Sequence, residues 1–228
     1  MRNMSKSVDG FVQSLADLSF DRVFNPYAEA CIDYDEPDAA AIRRRNLTLV
    51  LNAAIKIGVD SIWVARDLGY RGGRRTGLAL TDEMHLIAHA SLYGTLPLSR
   101  ATRGPAVGER TATIIWQVLT DLNRPIFLWN VFPLHPHNDG DPMSNRCHTR
   151  AERQACRPLL MWLLKTLNPR SVVAIGRDAQ VALADLDIDA HKIRHPSYGG
   201  QAEFIAGVYG LYGLEPRCVP ETGKLLLD

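Results

Sequence analysis

The sequence predicts an α/β fold, a three-layer α/β/α sandwich around a mainly parallel four-stranded sheet, and three observations carry that prediction. Short runs such as Ser61-Ile62-Trp63-Val64-Ala65 are apolar at nearly every position, as expected of strands covered on both faces. Between such runs lie segments in which apolar residues recur at helical spacing. Those segments are long enough to carry the chain back across a sheet, which a parallel neighbour requires.

The elements follow in order. Across residues 38–57 the residues Ala41, Ile42, Leu47, Val50, Leu51 and Ala54 form a helical stripe, and Gly58 ends it. Residues 61–65 form the first strand, between Asp60 and Arg66, and a Gly/Arg loop occupies 66–77. A helix around 81–92, a Pro/Gly/Arg loop over 96–108 and a helix over 109–122 come next. The second strand spans 125–131, and the stretch 132–145, rich in Pro, His and Asp, is expected to stay outside the core. Thr149, with Glu152 three residues on, forms a capping box that opens a helix to Leu167, where Asn168-Pro169 stops it. A third strand at 171–175, a helix at 178–186, a short fourth strand at 191–194 and a helix at 201–213 complete the alternation.

Composition bounds the function. At 228 residues, with 46% hydrophobic and 22% charged residues, the chain suits one globular domain over 1–228, and neither repeats nor low-complexity tracts interrupt it. No run approaches the roughly 18 apolar residues of a membrane helix, and no signal-type apolar run follows the N-terminal residues, so a cytoplasmic location is expected. Cys31, Cys147, Cys156 and Cys218 contain no C-x-x-C pair, which points away from a zinc knuckle or a disulfide framework. The net charge is only +1, yet 21 of the 26 cationic side chains are Arg, the residue suited to bidentate grip on phosphate.

Open parallel sheets bind ligands beyond their strand C-termini, which selects the loops after Ala65, Val131 and Arg194. The first holds Asp67 among Arg66, Arg71, Arg74 and Arg75, and no other acid lies between Ser61 and Thr81. A turn-capping Asp paired with a neighbouring Arg is the plain alternative. Asn130 ends the second strand with an amide that can donate and accept at once, the pattern that reads a planar imide edge. His195 ends the fourth strand just before Pro196, aimed at the crevice.

In this order and spacing the three segments resemble the uracil-DNA glycosylase superfamily over residues 61–200. The family's first motif, G-Q-D-P-Y-H followed by G-L-A-F ten residues after the Asp, is similar to Ala65-Arg66-Asp67-Leu68-Gly69-Tyr70 followed by Gly77-Leu78-Ala79-Leu80. Its buried strand ending in Asn is similar to Leu128-Trp129-Asn130-Val131, and its H-P-S motif to His195-Pro196-Ser197. The resemblance implies that Asp67 orients the attacking water and stabilises the cationic sugar, while a neutral His195 donates to uracil O2 as negative charge develops there. It also implies that Asn130 reads O4 and N3 of a base flipped out of the helix. Arg66, Gly69, Tyr70 and Leu80 would line the base site. Leu80 stands where the family has a stacking aromatic, a role left to Tyr70 or Phe132. Tyr198, between Ser197 and Gly199, would wedge into the gap left by the base, and Arg71, Arg74 and Arg75 would hold flanking phosphates. Arg146, His148, Arg150, Arg153 and Arg157 would add phosphate contacts or else pair with acids such as Glu152.

The chain also departs from the pattern. Leu68 replaces the Pro after the acid, Gly69 replaces the Tyr that walls off the thymine methyl, and Asp67 stands where branches sharing that Gly carry Asn. The close Cys pair of the iron–sulfur branches is absent, so no cluster, metal or cofactor is expected. Phe24-Asn25-Pro26-Tyr27 mimics the first motif but follows no buried strand. The expected function is that of a monofunctional DNA N-glycosylase, a monomer acting on uracil in single- or double-stranded DNA. No Lys lies in the motif loops to form a covalent imine. The rivals are a uracil-DNA binding or trapping protein, a glycosylase for other deaminated or mismatched bases, and a nucleoside hydrolase.

Overall fold

A computed structural model describes residues 7–215. Cys218 lies outside the described residues, and Cys31, Cys147 and Cys156 are free thiols. The elements in chain order are α1 (Val8–Ala16), β1 (Val23–Phe24), α2 (Ala39–Ile57), β2 (Ser61–Asp67), α3 (Gly73–Thr76), a 3-10 turn (Glu83–His85), α4 (Leu86–Leu92), α5 (Arg110–Leu122), β3 (Ile126–Phe132), β4 (His135–Pro136), α6 (Arg150–Leu167), β5 (Ser171–Ile175), α7 (Arg177–Ala184), β6 (His191–Ile193) and α8 (Gln201–Tyr212).

Four strands form a parallel sheet in the order β3-β2-β5-β6. Side chains alternate across a strand, so β2 sends Ile62 and Val64 to one face and Trp63 and Ala65 to the other. The first face is covered by Phe11 and Leu15 of α1, Leu47 and Leu51 of α2, Leu160 and Leu163 of α6, and Ala182 and Leu183 of α7. Ile115, Trp116 and Leu119 of α5 cover the second face, with Phe204 and Val208 of α8. Two cores on one sheet make the three-layer sandwich that the apolar runs predict.

The capping box forms as the sequence predicts: the Thr149 hydroxyl accepts from the Glu152 N–H at 3.2 Å, and Glu152 Oε2 accepts from the Thr149 N–H at 2.6 Å. Strand β2 runs two residues past its apolar run, because Asp67 still pairs in parallel register with Phe132. The extension places the acid on a rigid strand end. One expectation fails in the stretch after β3, where Phe132, Leu134 and His135 are fully buried. The reason is β1, which the sequence did not announce: it pairs antiparallel with β4, Val23 opposite Pro136 and Phe24 opposite His135, and seals this segment. Asn25 and Tyr27 brace the same region. The Asn25 amide donates to the Leu15 and Leu18 carbonyls, and the Tyr27 hydroxyl donates to Gly77 O at 2.8 Å.

Candidate active site

Beyond the C-terminal ends of β2, β5 and β6 lies a cleft of about 400 Å³. Asp67, Gly69, Leu80 and Glu109 line it on the β2 side, and Asp178, Arg194, His195 and Ser197 on the β5–β6 side. The strand-end rule thus brings Asp67 and His195 to one cavity from positions 128 residues apart in sequence.

The Asp67 carboxylate is held on both oxygens. Arg66 Nε donates to Oδ2 at 2.6 Å, and His148 Nδ1 donates to Oδ1. The side chains of Asp67 and His148 are 6% and 5% exposed, so the pairing occurs largely out of water. Arg66 also donates to Asp178 Oδ2 at 2.8 Å and bridges the two acids. His195 is fixed differently. The Ser197 backbone N–H donates to its Nδ1 at 3.1 Å, which makes Nδ1 the acceptor and leaves the proton on Nε2. Burial, with Arg66 and Arg194 adding repulsion against the pull of Asp178, lowers His195 to about 4. At neutral pH the ring is therefore an uncharged N–H donor.

A family model described as the uracil DNA glycosylase superfamily matches residues 71–207, more than half of the chain. The chain belongs to that superfamily. Among solved structures, wild-type SMUG2 of Pedobacter heparinus superposes with a TM-score of 0.59 at 14% identity, covering 89% of this chain and 97% of that one. At that identity the likeness speaks for the fold. No curated protein matches the sequence.

Within this superfamily member, two expected phosphate contacts need correction. Arg74 is 3% exposed. Its guanidinium donates to Pro142 O at 2.8 Å, His135 Nδ1 at 2.9 Å and the Tyr34 hydroxyl at 2.7 Å, and stacks 3.9 Å from the Phe24 ring. Arg75 is 8% exposed, bonded to Glu83 Oε2 at 2.9 Å and stacked 4.0 Å from Tyr34. Arg75 is paired with an acid and Arg74 is held by neutral acceptors and an aromatic face, so both guanidinium groups are engaged inside the protein and lie out of reach of DNA. Arg71 is exposed, and among the described residues its guanidinium engages only through Nε, on Gly108 O at 3.2 Å.

The remaining candidates are spread unevenly. Tyr198 is 97% exposed beside the cleft mouth, at φ 51°, with Gly199 next to it at φ 78°. Tyr70 is half-buried, tied by its backbone N–H to Asn145 Oδ1 at 3.1 Å, and does not line the cleft. Phe132 is wholly buried and offers no stacking face. Asn130, expected to read the base, lies under the cleft surface at 1% exposure, its amide donating to Asp67 O at 3.0 Å. Its Oδ1 is a buried acceptor without a partner among the described residues.

Two residues of the site escaped the sequence analysis. The sequence places His148 among cations that contact phosphate or pair with acids; its partner is Asp67, while Arg146 nearby pairs with Glu152 at 2.9 and 2.6 Å. In the sequence Glu109 marks only the start of a helix. Nothing local signals either role, because each depends on a loop distant in sequence.

Proposed function

We propose that the chain is a monofunctional uracil-DNA glycosylase, a monomer that works in the cytoplasm without metal or cofactor. The observation that carries this reading is the cleft shared by Asp67 and His195, with the carboxylate clamped by Arg66 and His148 and the imidazole held neutral. A deoxyuridine flipped into it places its sugar against Asp67 and uracil O2 against His195 Nε2–H.

As the C1′–N1 bond breaks, its electron pair passes to N1 and spreads onto O2, where the His195 N–H stabilises it. Positive charge grows on the sugar beside the Asp67 carboxylate, which also orients the water that attacks C1′. The water's proton leaves through Asp67 and neutralises the uracil anion. Products are uracil and an abasic site. Asn130 lies beneath the cleft, and its amide, donating to the Asp67 carbonyl, braces the strand end that carries the acid. Tyr198 fills the vacated place in the duplex, and Arg71 holds a flanking phosphate.

The test is cleavage of a labelled oligonucleotide containing one uracil, single-stranded or paired with G or A, in the presence of EDTA. Alkali-dependent strand breaks from the wild type and none from Asp67→Asn support the proposal. Undiminished breakage by Asp67→Asn removes that residue from the mechanism, and no breakage by the wild type on any of the three substrates refutes the activity.

A further inference from the structure

Glu109 precedes α5, but its side chain does not cap that helix. Its backbone N–H donates to Asp82 Oδ2 at 2.5 Å, and the carboxyl turns into the cleft. There it fills the space left by two glycines: a Cβ on Gly69 would stand 2.7 Å from Oε1, and one on Gly72 2.2 Å from Oε2. Among the described residues neither oxygen has a hydrogen bond or an ion pair. The charged and titratable groups around it are Asp82 from the turn before α4, Arg71 from the loop after β2, and Asp67, Arg66, Arg146, Arg177, Asp178, Arg194, His195 and Tyr198 lining the same cleft.

The position matters because of how uracil must sit. In the pyrimidine ring C5 lies directly across from C2, so a base whose O2 meets His195 turns its C5 edge to the opposite wall. His195 follows β6, two strands along the sheet from β2, and the wall on the β2 side is Gly69 backed by Glu109. Gly69 contributes no side chain there; the Glu109 carboxyl stands in its place.

We infer that Glu109 selects the base at C5, admitting uracil and rejecting thymine. A 5-methyl group against this wall would crowd the carboxyl and strip its water without offering a hydrogen bond in return. A hydrogen at C5 leaves room for that water. This inference rests on the glycosylase reading and its placement of O2 on His195. Selection by a single methyl in a pocket is worth roughly 10- to 200-fold, and a desolvated carboxyl places this wall in the upper part of that range.

The experiment compares base release from duplexes carrying one uracil or one thymine opposite G, with wild type, Glu109→Ala and Glu109→Gln. The wild type should favour uracil. Glu109→Ala should lower the uracil-to-thymine ratio of kcat/KM about tenfold or more, and Glu109→Gln, which keeps a polar group of the same size, should hold most of it. The wild type alone supplies a second test, independent of whether the variants fold. In DNA, 5-hydroxymethyluracil carries a larger substituent than thymine, but its hydroxyl can donate to the carboxyl, so it should be released faster than thymine. A ratio unchanged in Glu109→Ala, or hydroxymethyluracil released no faster than thymine, overturns the role of Glu109 while leaving the glycosylase reading intact. A wild type that releases none of these bases overturns both.

Discussion

His148 Nδ1 donates to Asp67 Oδ1 across 81 residues of sequence, on the oxygen that Arg66 leaves free. The donor stands immediately before the N-cap of α6, so the Thr149–Glu152 capping box that starts the helix also fixes the residue that holds the acid. Helix capping and carboxylate orientation are thereby one structural unit. A carboxylate that must aim a lone pair at one water gains from having both oxygens fixed in direction.

Replacing His148 should therefore affect turnover more than binding. We expect His148→Ala to lower kcat by about 10- to 100-fold, the range of a misdirected catalytic group, with KM within about threefold of wild type. His148→Asn, which returns an N–H donor of similar reach, should recover part of the loss. Single-turnover kinetics on a uracil oligonucleotide measure both values. A change confined to KM would mean that His148 contacts DNA instead of positioning Asp67.

Arg71 and Arg74 sit three residues apart and should behave oppositely. Arg71→Ala should weaken DNA binding at low salt and reduce the slope of log K against log salt by about 1, the loss of one phosphate contact. Arg74→Ala leaves His135, Tyr34 and the Pro142 carbonyl without their buried partner, and should cost about 2–4 kcal/mol of stability with the salt slope unchanged. Denaturant titration and binding isotherms at several salt concentrations separate the two. An Arg74→Ala protein of wild-type stability would contradict the internal role.

The contrast shows where the sequence was legible. Strands β2, β3 and β5 and the α6 capping box are written in local patterns, so periodicity finds them. Arg74 and Arg75 share a loop with Asp67, and a count of charges reads them as phosphate ligands. Their partners Tyr34 and His135 stand 40 and 61 residues away and have no local signature. Arg43 repeats the lesson: it is fully buried, paired with Asp35, and donates to Arg75 O at 2.9 Å. Arg43, Arg74 and Arg75 thus brace the interior. The two-residue strands β1 and β4 went unseen because each is stabilised only by the other.

His195 yields a prediction on the acid side. Burial, then Arg66 and Arg194, hold it near 4 against the pull of Asp178. A neutral donor is needed, so the His195 contribution to kcat/KM should stay flat down to about pH 5 and fall only as pH approaches 4. The same lowered value means that stability attached to His195 is present above its unfolded value, about 6.5, and lost as pH drops toward 4. An acid limb centred near 6.5 that disappears in His195→Gln would show the imidazole to be titrating as if in water.

Glu109 carries the opposite sign. Burial raises it to about 7, Asp82 adds to the rise and Arg71 opposes it, so the folded chain keeps a proton there that the unfolded chain releases near its ordinary 4.5. A raised folded value gives stability that is complete below about pH 4.5 and lost as pH climbs through 7. Glu109→Gln has no proton to lose. Relative to wild type it should gain roughly 1–3 kcal/mol on going from pH 4.5 to 8.5, the lower part of that range applying if water enters the cleft. Urea midpoints of the two proteins at both pH values measure this gain directly. A difference that stays constant across the range would show Glu109 ionised like a surface acid, and the cleft wall at Gly69 would then carry a full charge at every pH where the enzyme works.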